Sequence, residues 1–111
     1  MKAEELFKEA VDDVKIGCYN KAVSALYFSL RMMAEDFLLR IRAPIPRRDD
    51  KLANVLDSLG VKNVALALRK LYELRVKADY RMESISRMEA DVAVRVYGEA
   101  REALKEKLKG E

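Results

Sequence analysis

The segment from Tyr19 to about Ile41 constrains the fold more than any other, because its apolar residues recur at helical spacing on two faces. Val23, Leu26, Leu30, Met33, Phe37 and Ile41 form one stripe, and Ala25, Phe28, Met32 and Leu39 form a second. One apolar stripe can rest on a single layer of neighbours, whereas two stripes cannot. The segment is therefore predicted to be a central helix, either surrounded by several helices or covered on one side by a second subunit. Asn20 is placed to cap its start. Ser24, Arg31 and Glu35 share one side of it, and Arg31 and Glu35, four residues apart, are expected to form an ion pair.

The flanking segments have single stripes. From Lys2 to about Ile16, Leu6, Phe7, Ala10, Val11 and Val14 recur at three- and four-residue intervals, which predicts a one-sided helix. Gly17 ends it, since glycine tolerates the positive φ of a helix stop. Pro44 and Pro46 remove amide donors and favour extended geometry in the residues before them, so residues 42–50 are expected to be a loop. Asp49 or Asp50 is placed to cap a short helix to about Leu59, with Leu52, Val55, Leu56 and Leu59 inward, and Gly60 closes it.

A long helix follows, with Val64, Leu68, Leu71, Leu74 and Ala78 as its stripe and Glu73 and Lys77 as an exposed pair. Ser86 and Glu89 have capping-box spacing for a last helix. Residues 91–97 alternate like a strand, but Ala93, Val96, Tyr97, Ala100 and Leu104 continue a helical stripe well beyond them. The predicted fold is all-α: one domain over residues 1–111, an up-and-down bundle of four main helices plus one short helix.

Composition narrows the function classes. No apolar run approaches the roughly 18 residues that span a bilayer, and the polar start Met1-Lys2-Ala3-Glu4-Glu5 is unlike a signal peptide. The expectation is a cytoplasmic chain with no membrane role. With no histidine and Cys18 as the one cysteine, a metal site with nitrogen or sulfur ligands cannot be assembled within one chain, and no cofactor is expected. Cys18 itself has no histidine to activate it and reads as an inert small side chain. A net charge of +3 permits an approach to phosphate without being a nucleic-acid signature. The absence of Gln, Thr, Trp and His beside abundant Lys, Arg and Glu points to a thermophilic source.

Two stretches carry a resemblance. Residues 17–30, Gly-Cys-Tyr-Asn-Lys-Ala-Val-Ser-Ala-Leu-Tyr-Phe-Ser-Leu, continuing to Leu38-Leu39, resemble the second helix of HEPN domains. There a turn and an aromatic precede a segment rich in small residues with paired aromatics. Residues 74–80, Leu-Arg-Val-Lys-Ala-Asp-Tyr, look like the Arg-x-Lys-Ala-Asp-Tyr variant of short prokaryotic members. The resemblance implies a helical bundle that forms a homodimer and is often encoded beside a minimal nucleotidyltransferase, the two making a toxin and antitoxin or defence module. It also implies metal-independent RNA cleavage in many members, by an arginine, a short spacer and a histidine, with two copies meeting across the dimer. On this chain the arginine is Arg75 and the histidine position holds Tyr80. Val76 stands where a polar residue often follows the arginine.

Metal-free cleavage of RNA needs a base for the 2′-hydroxyl, an acid for the leaving oxygen and a cation for the charge developing on phosphorus. Arg75 suits the cation. Tyr80, with an ordinary pKa of about 10, is a poor base and at best an acid, and Asp79 is a base only if burial outweighs Arg75 and Arg81 beside it. The bland readings are an Arg75–Asp79 ion pair and a Tyr80 ring buried at a helix end. Lys77 and Arg81, with Arg75 and Arg31, could instead bind a nucleotide or RNA phosphate, more strongly if a dimer doubles them. Arg47 and Arg48 could also touch phosphate but read more simply as solvated loop residues. In one HEPN-like reading Tyr80 accepts a nucleotide from the partner enzyme; in the alternative, the chain is a dimeric interaction module without nuclease activity.

Overall fold

The computed structural model describes residues 2–80 and 83–109. These form an all-α bundle of five helices, with no strand among them: α1 (Lys2–Lys15), α2 (Tyr19–Arg40), α3 (Asp49–Ser58), α4 (Lys62–Tyr80) and α5 (Arg87–Lys109). Helix α2 is the hub and packs against α1, α4 and α5; α4 also packs on α5, and α3 packs chiefly on α4. No helix of the described residues is long and apolar enough to cross a membrane.

The stops follow from backbone chemistry. Gly17 and Gly60 have φ of +80° and +82°, and each closes a Schellman motif. The amide of Cys18 donates to the Asp13 carbonyl at 2.7 Å, and that of Val61 to the Leu56 carbonyl at 3.0 Å. Both glycines therefore satisfy carbonyls that a helix end would orphan. The end of α2 has the same arrangement, with Ala43 donating to Leu38 at 2.9 Å, but the left-handed position is Arg42, at φ 58°. The start of α5 is the reciprocal box expected from spacing. The Glu89 amide donates to Ser86 Oγ at 3.1 Å, and the Ser86 amide donates to Glu89 Oε1 at 3.0 Å.

Two expected caps are corrected. Cys18 occupies the cap position of α2, with no side-chain hydrogen bond. Asn20 lies inside the first turn, and its Oδ1 accepts the Ile85 amide at 2.8 Å, tying the α4–α5 connection to α2. Arg48, with extended backbone, caps α3; Asp49 and Asp50 fall in the first turn, where their charge suits the helix dipole. The expected Glu73–Lys77 pair is also absent. Glu73 pairs with Lys70 at 3.7 Å, and Lys77 reaches across to Glu89 at 2.9 Å. Leu59 is exposed rather than inward, because it is the residue at which α3 ends.

The core is built from the predicted stripes: Val23, Leu26, Leu30 and Phe37 of α2, Val64, Leu68, Leu71 and Leu74 of α4, and Ala93, Tyr97, Ala100 and Leu104 of α5. One polar chain crosses it. Ser29 Oγ, fully buried, donates to the Ala3 carbonyl at 2.7 Å and lies 2.7 Å from the Tyr97 hydroxyl. Since the serine has one proton, Tyr97 donates to Ser29, and α5, α2 and α1 are joined in series.

The second stripe of α2 fares differently. Ala25 and Met32 are half-buried, while Phe28 is 38% exposed and Leu39 65% exposed. Helices α1, α4 and α5 cover the first stripe and leave the second covered only in part, with Phe28 and Leu39 exposed.

Candidate functional site

Leu71 and Leu74 point into the core, and this turns Arg75 toward α2. Its guanidinium carbon lies 4.8 Å from the centre of the Phe28 ring and 5.5 Å from that of Tyr27. The side chain is only 20% exposed, and its Nε stands 3.4 Å from Asp79 Oδ2. Asp79 is held in turn by Ser24 Oγ, which donates to Oδ1 at 3.1 Å. A guanidinium between two aromatic faces gains about 0.5–2 kcal/mol as solvent is withdrawn. Arg75 Nε is buried without a hydrogen-bond partner among the described residues, so the nearby carboxylate is what offsets its desolvation.

On the other side of Tyr27 lies a second cluster. The Tyr27 hydroxyl and Arg31 Nη1 both donate to Asp49 Oδ1. Arg31 Nη2 donates to the Arg47 carbonyl at 2.9 Å, and Arg31 Nε lies 3.7 Å from Glu35, the expected pair. Arg31 thereby fastens the proline loop to α2. Burial raises the Asp49 carboxyl above its ordinary value, against the lowering pull of Arg75, with Asp50 adding a push upward. The two direct donors, Tyr27 and Arg31, act in the opposite direction and favour the carboxylate. Tyr72 of α4 completes the wall, its ring 5.8 Å from that of Tyr27.

No protein-family model, curated protein or solved structure matches the chain.

The sequence-predicted residues that the structure describes separate into four places. Arg75 and Asp79 come together as the ion pair, against Phe28 and Tyr27. Tyr80, five residues beyond Arg75, sits roughly 140° round the helix from it; it is 74% exposed, its ring out of the core. Lys77 faces neither. Its Nζ is 3.0 and 2.9 Å from the two Glu89 oxygens and 3.8 Å from Glu83, so it reinforces the start of α5. Arg31 belongs to the Asp49 cluster. Arg81 lies outside the described residues. The expected grouping of Arg75 with Lys77 into one anion site does not form within the chain, because positions two apart on a helix face apart.

Sequence reasoning missed Tyr72 and the chemistry of Asp49 and Tyr27. Asp49 was legible as an acid following a proline loop, but its pairing with residues 18 and 22 positions earlier is a tertiary event with no periodic signature. The adjacent aromatics Tyr27-Phe28 were the available signal: neighbours on a helix point about 100° apart, so one ring can enter the core and the other cannot.

Proposed function

We propose that the chain is a HEPN-type helical interaction module that works as a homodimer. Its second copy covers the open stripe of α2, and a minimal nucleotidyltransferase is its partner in a toxin-antitoxin or defence module. The observation that carries this reading is the second stripe of α2, the hub helix, on which Phe28 and Leu39 stay exposed and Met32 is only half-buried. An apolar strip along the central helix costs free energy in water and loses that cost on pairing. A two-fold contact there places two Phe28–Arg75 stacks near one seam. Tyr80, exposed at the end of α4, is the residue offered to the nucleotidyltransferase for modification.

RNA cleavage is the second reading, favoured by one observation: Arg75, the cation of the motif, neighbours an acid, Asp49, whose carboxyl burial raises. Asp79 neutralises Arg75 and Tyr80 points elsewhere, which weighs toward interaction. One experiment separates the two. The protein, Arg75→Ala and Tyr80→Phe are incubated with RNA in the absence of metal, and separately with ATP and a minimal nucleotidyltransferase. The proposal expects intact RNA in every lane and a nucleotide adduct on the parent protein that Tyr80→Phe lacks. RNA cleaved by the parent and spared by Arg75→Ala would replace it with the nuclease reading; an adduct that survives Tyr80→Phe would remove Tyr80 from it.

A further inference from the structure

The second stripe of α2 has a charge set into it. Phe28, Met32 and Leu39 follow the four- and seven-residue steps of a helix seam, and the intermediate step between Met32 and Leu39 falls on Glu35. Phe28 and Glu35, seven residues apart, stand within about 20° of one another around the helix and about 10 Å apart along it. The Glu35 side chain is 37% exposed, and its one ionic partner among the described residues is Arg31 Nε at 3.7 Å. Arg31 directs its Nη atoms to Asp49 and the Arg47 carbonyl, so Glu35 is loosely held. A carboxylate in an apolar seam is costly to bury unless a cation meets it there.

The same face carries a cation short of an acceptor. The Arg75 guanidinium lies 4.8 Å from the centre of the Phe28 ring, on the flank of α2 turned to α4. Its Nε is buried without a hydrogen bond among the described residues, and the Asp79 oxygen stands 3.4 Å from it. Asp49, beyond Tyr27, is engaged by Tyr27 and Arg31. Within one chain Glu35 stands two turns of α2 from this stack and pairs with Arg31 instead.

A second α2 can lie on this stripe in two symmetric ways. With the helices parallel, each residue faces its own copy, so Glu35 meets Glu35 and neither guanidinium gains an acceptor. Like charges in one seam oppose that arrangement. With the helices antiparallel about the middle of the stripe, Met32, the level of position 28 meets that of position 36, about 1.5 Å along the helix from Glu35. An antiparallel two-fold also sets the α4 flank of one copy beside the α4 flank of the other. Glu35 is on that flank: it is eleven residues beyond Ser24, hence within about 20° of it around the helix, and Ser24 is the α2 residue that bonds Asp79 of α4.

We propose that Glu35 of each copy pairs with Arg75 of the other, and that these two ion pairs hold the α2 seam antiparallel. The pairing rests on the reading that a second copy covers α2. It gives the stacked arginine a role in the interface, because a charged residue in an otherwise apolar seam excludes the registers that leave it unpaired.

Sedimentation velocity on the full chain measures the dimer dissociation constant of the parent, Glu35→Gln, Arg75→Gln and the double variant. Each single variant is expected to weaken the dimer at least tenfold, since it leaves a charge unpaired in the seam, and the double variant is expected to be no weaker than the weaker single one. Glu35→Lys brings two cations together at each pair and Arg75→Glu brings two carboxylates together, so each alone should be monomeric where the parent is dimeric. Mixed one to one they should dimerise again, because one end of the mixed dimer carries the native pair and the other end the same pair with its charges exchanged. Pairing inside one chain would gain nothing from mixing. A parent that sediments as a single chain overturns the pair and the seam together. A parent dimer left unchanged by Glu35→Gln, or a mixture that stays monomeric while both variants keep the helical content of the parent, overturns the pair and leaves the seam standing. Should Arg75→Glu not fold, the neutral variants decide, and additive losses in their cycle overturn the pair.

Discussion

Replacing Ser29 by alanine removes one oxygen atom from the centre of the molecule and should cost far more than its size suggests. Ser29 Oγ is fully buried, donates to the Ala3 carbonyl at 2.7 Å and accepts from Tyr97 at 2.7 Å. The alanine variant loses the bond to α1 and strands the Tyr97 hydroxyl, whose one other partner among the described residues is Met33 Sδ at 3.7 Å. Burial pushes the Tyr97 phenol above its ordinary pKa, so it stays a donor and cannot escape by ionising. A lost hydrogen bond costs about 1 kcal/mol and a stranded buried hydroxyl about 1–3 kcal/mol, giving a total of about 2–4 kcal/mol. That is a large share of the roughly 5–15 kcal/mol that stabilises a domain of this size.

Tyr97→Phe leaves Ser29 its bond to Ala3 and should cost only about 1 kcal/mol. In that background there is no hydroxyl to strand, so Ser29→Ala should cost roughly 1–2 kcal/mol less than in the parent. Urea unfolding of the parent, the two single variants and the double variant, at one protein concentration, completes the cycle. Additive costs, or a Ser29→Ala penalty below about 1 kcal/mol, would show that the three-helix chain does not hold the bundle together.

Other outcomes follow from the caps and clusters. The Ser86 amide and then Lys77 hold the Glu89 carboxyl below its usual 4.5, so its contribution is present above that pH and lost as pH falls through the depressed folded value. The melting-temperature advantage of the parent over Glu89→Gln should therefore be full at neutral pH and shrink below pH 4.5; a gap independent of pH would refute it. Arg42 holds a left-handed conformation at φ 58°, which costs a non-glycine residue about 1–2 kcal/mol, partly offset by the extra unfolded-state entropy of glycine. Arg42→Gly should thus raise the unfolding midpoint slightly, and a lower midpoint would contradict the strain. Arg31→Ala releases the proline loop from α2, and limited proteolysis should cut residues 42–48 faster while the remainder stays protected; unchanged cleavage would show that the loop is held by other contacts.

The helices were legible because each obeys a local rule. Stripe spacing located α1, α4 and α5, Gly17 and Gly60 located two stops, and the Ser86–Glu89 box located a start, all within a few residues of one another in the chain. Caps on α2 and α3 were misplaced for the opposite reason. Asn20 and Asp49 have the right side chains for a cap, but Ile85, Tyr27 and Arg31 compete for them from far along the chain, and tertiary partners won. Likewise Lys77 left its i−4 neighbour for Glu89, which offers two oxygens in a less exposed place. In the candidate site, Arg75 with Asp79 was visible as spacing on one helix. The aromatic faces that enclose Arg75, and the cluster beyond Tyr27, join α2, α3 and α4, and no periodicity within one segment encodes them.

One face of α2 is covered by α1, α4 and α5, and the other keeps Phe28 and Leu39 in solvent. Sedimentation velocity of the chain across the micromolar range, beside Phe28→Glu and Leu39→Glu, tests what covers it. The parent should sediment at twice the 12.7 kDa chain mass and both variants at the chain mass, with helical content unchanged. A parent that remains at the mass of one chain at every concentration, or variants that pair as the parent does, would contradict the α2 seam.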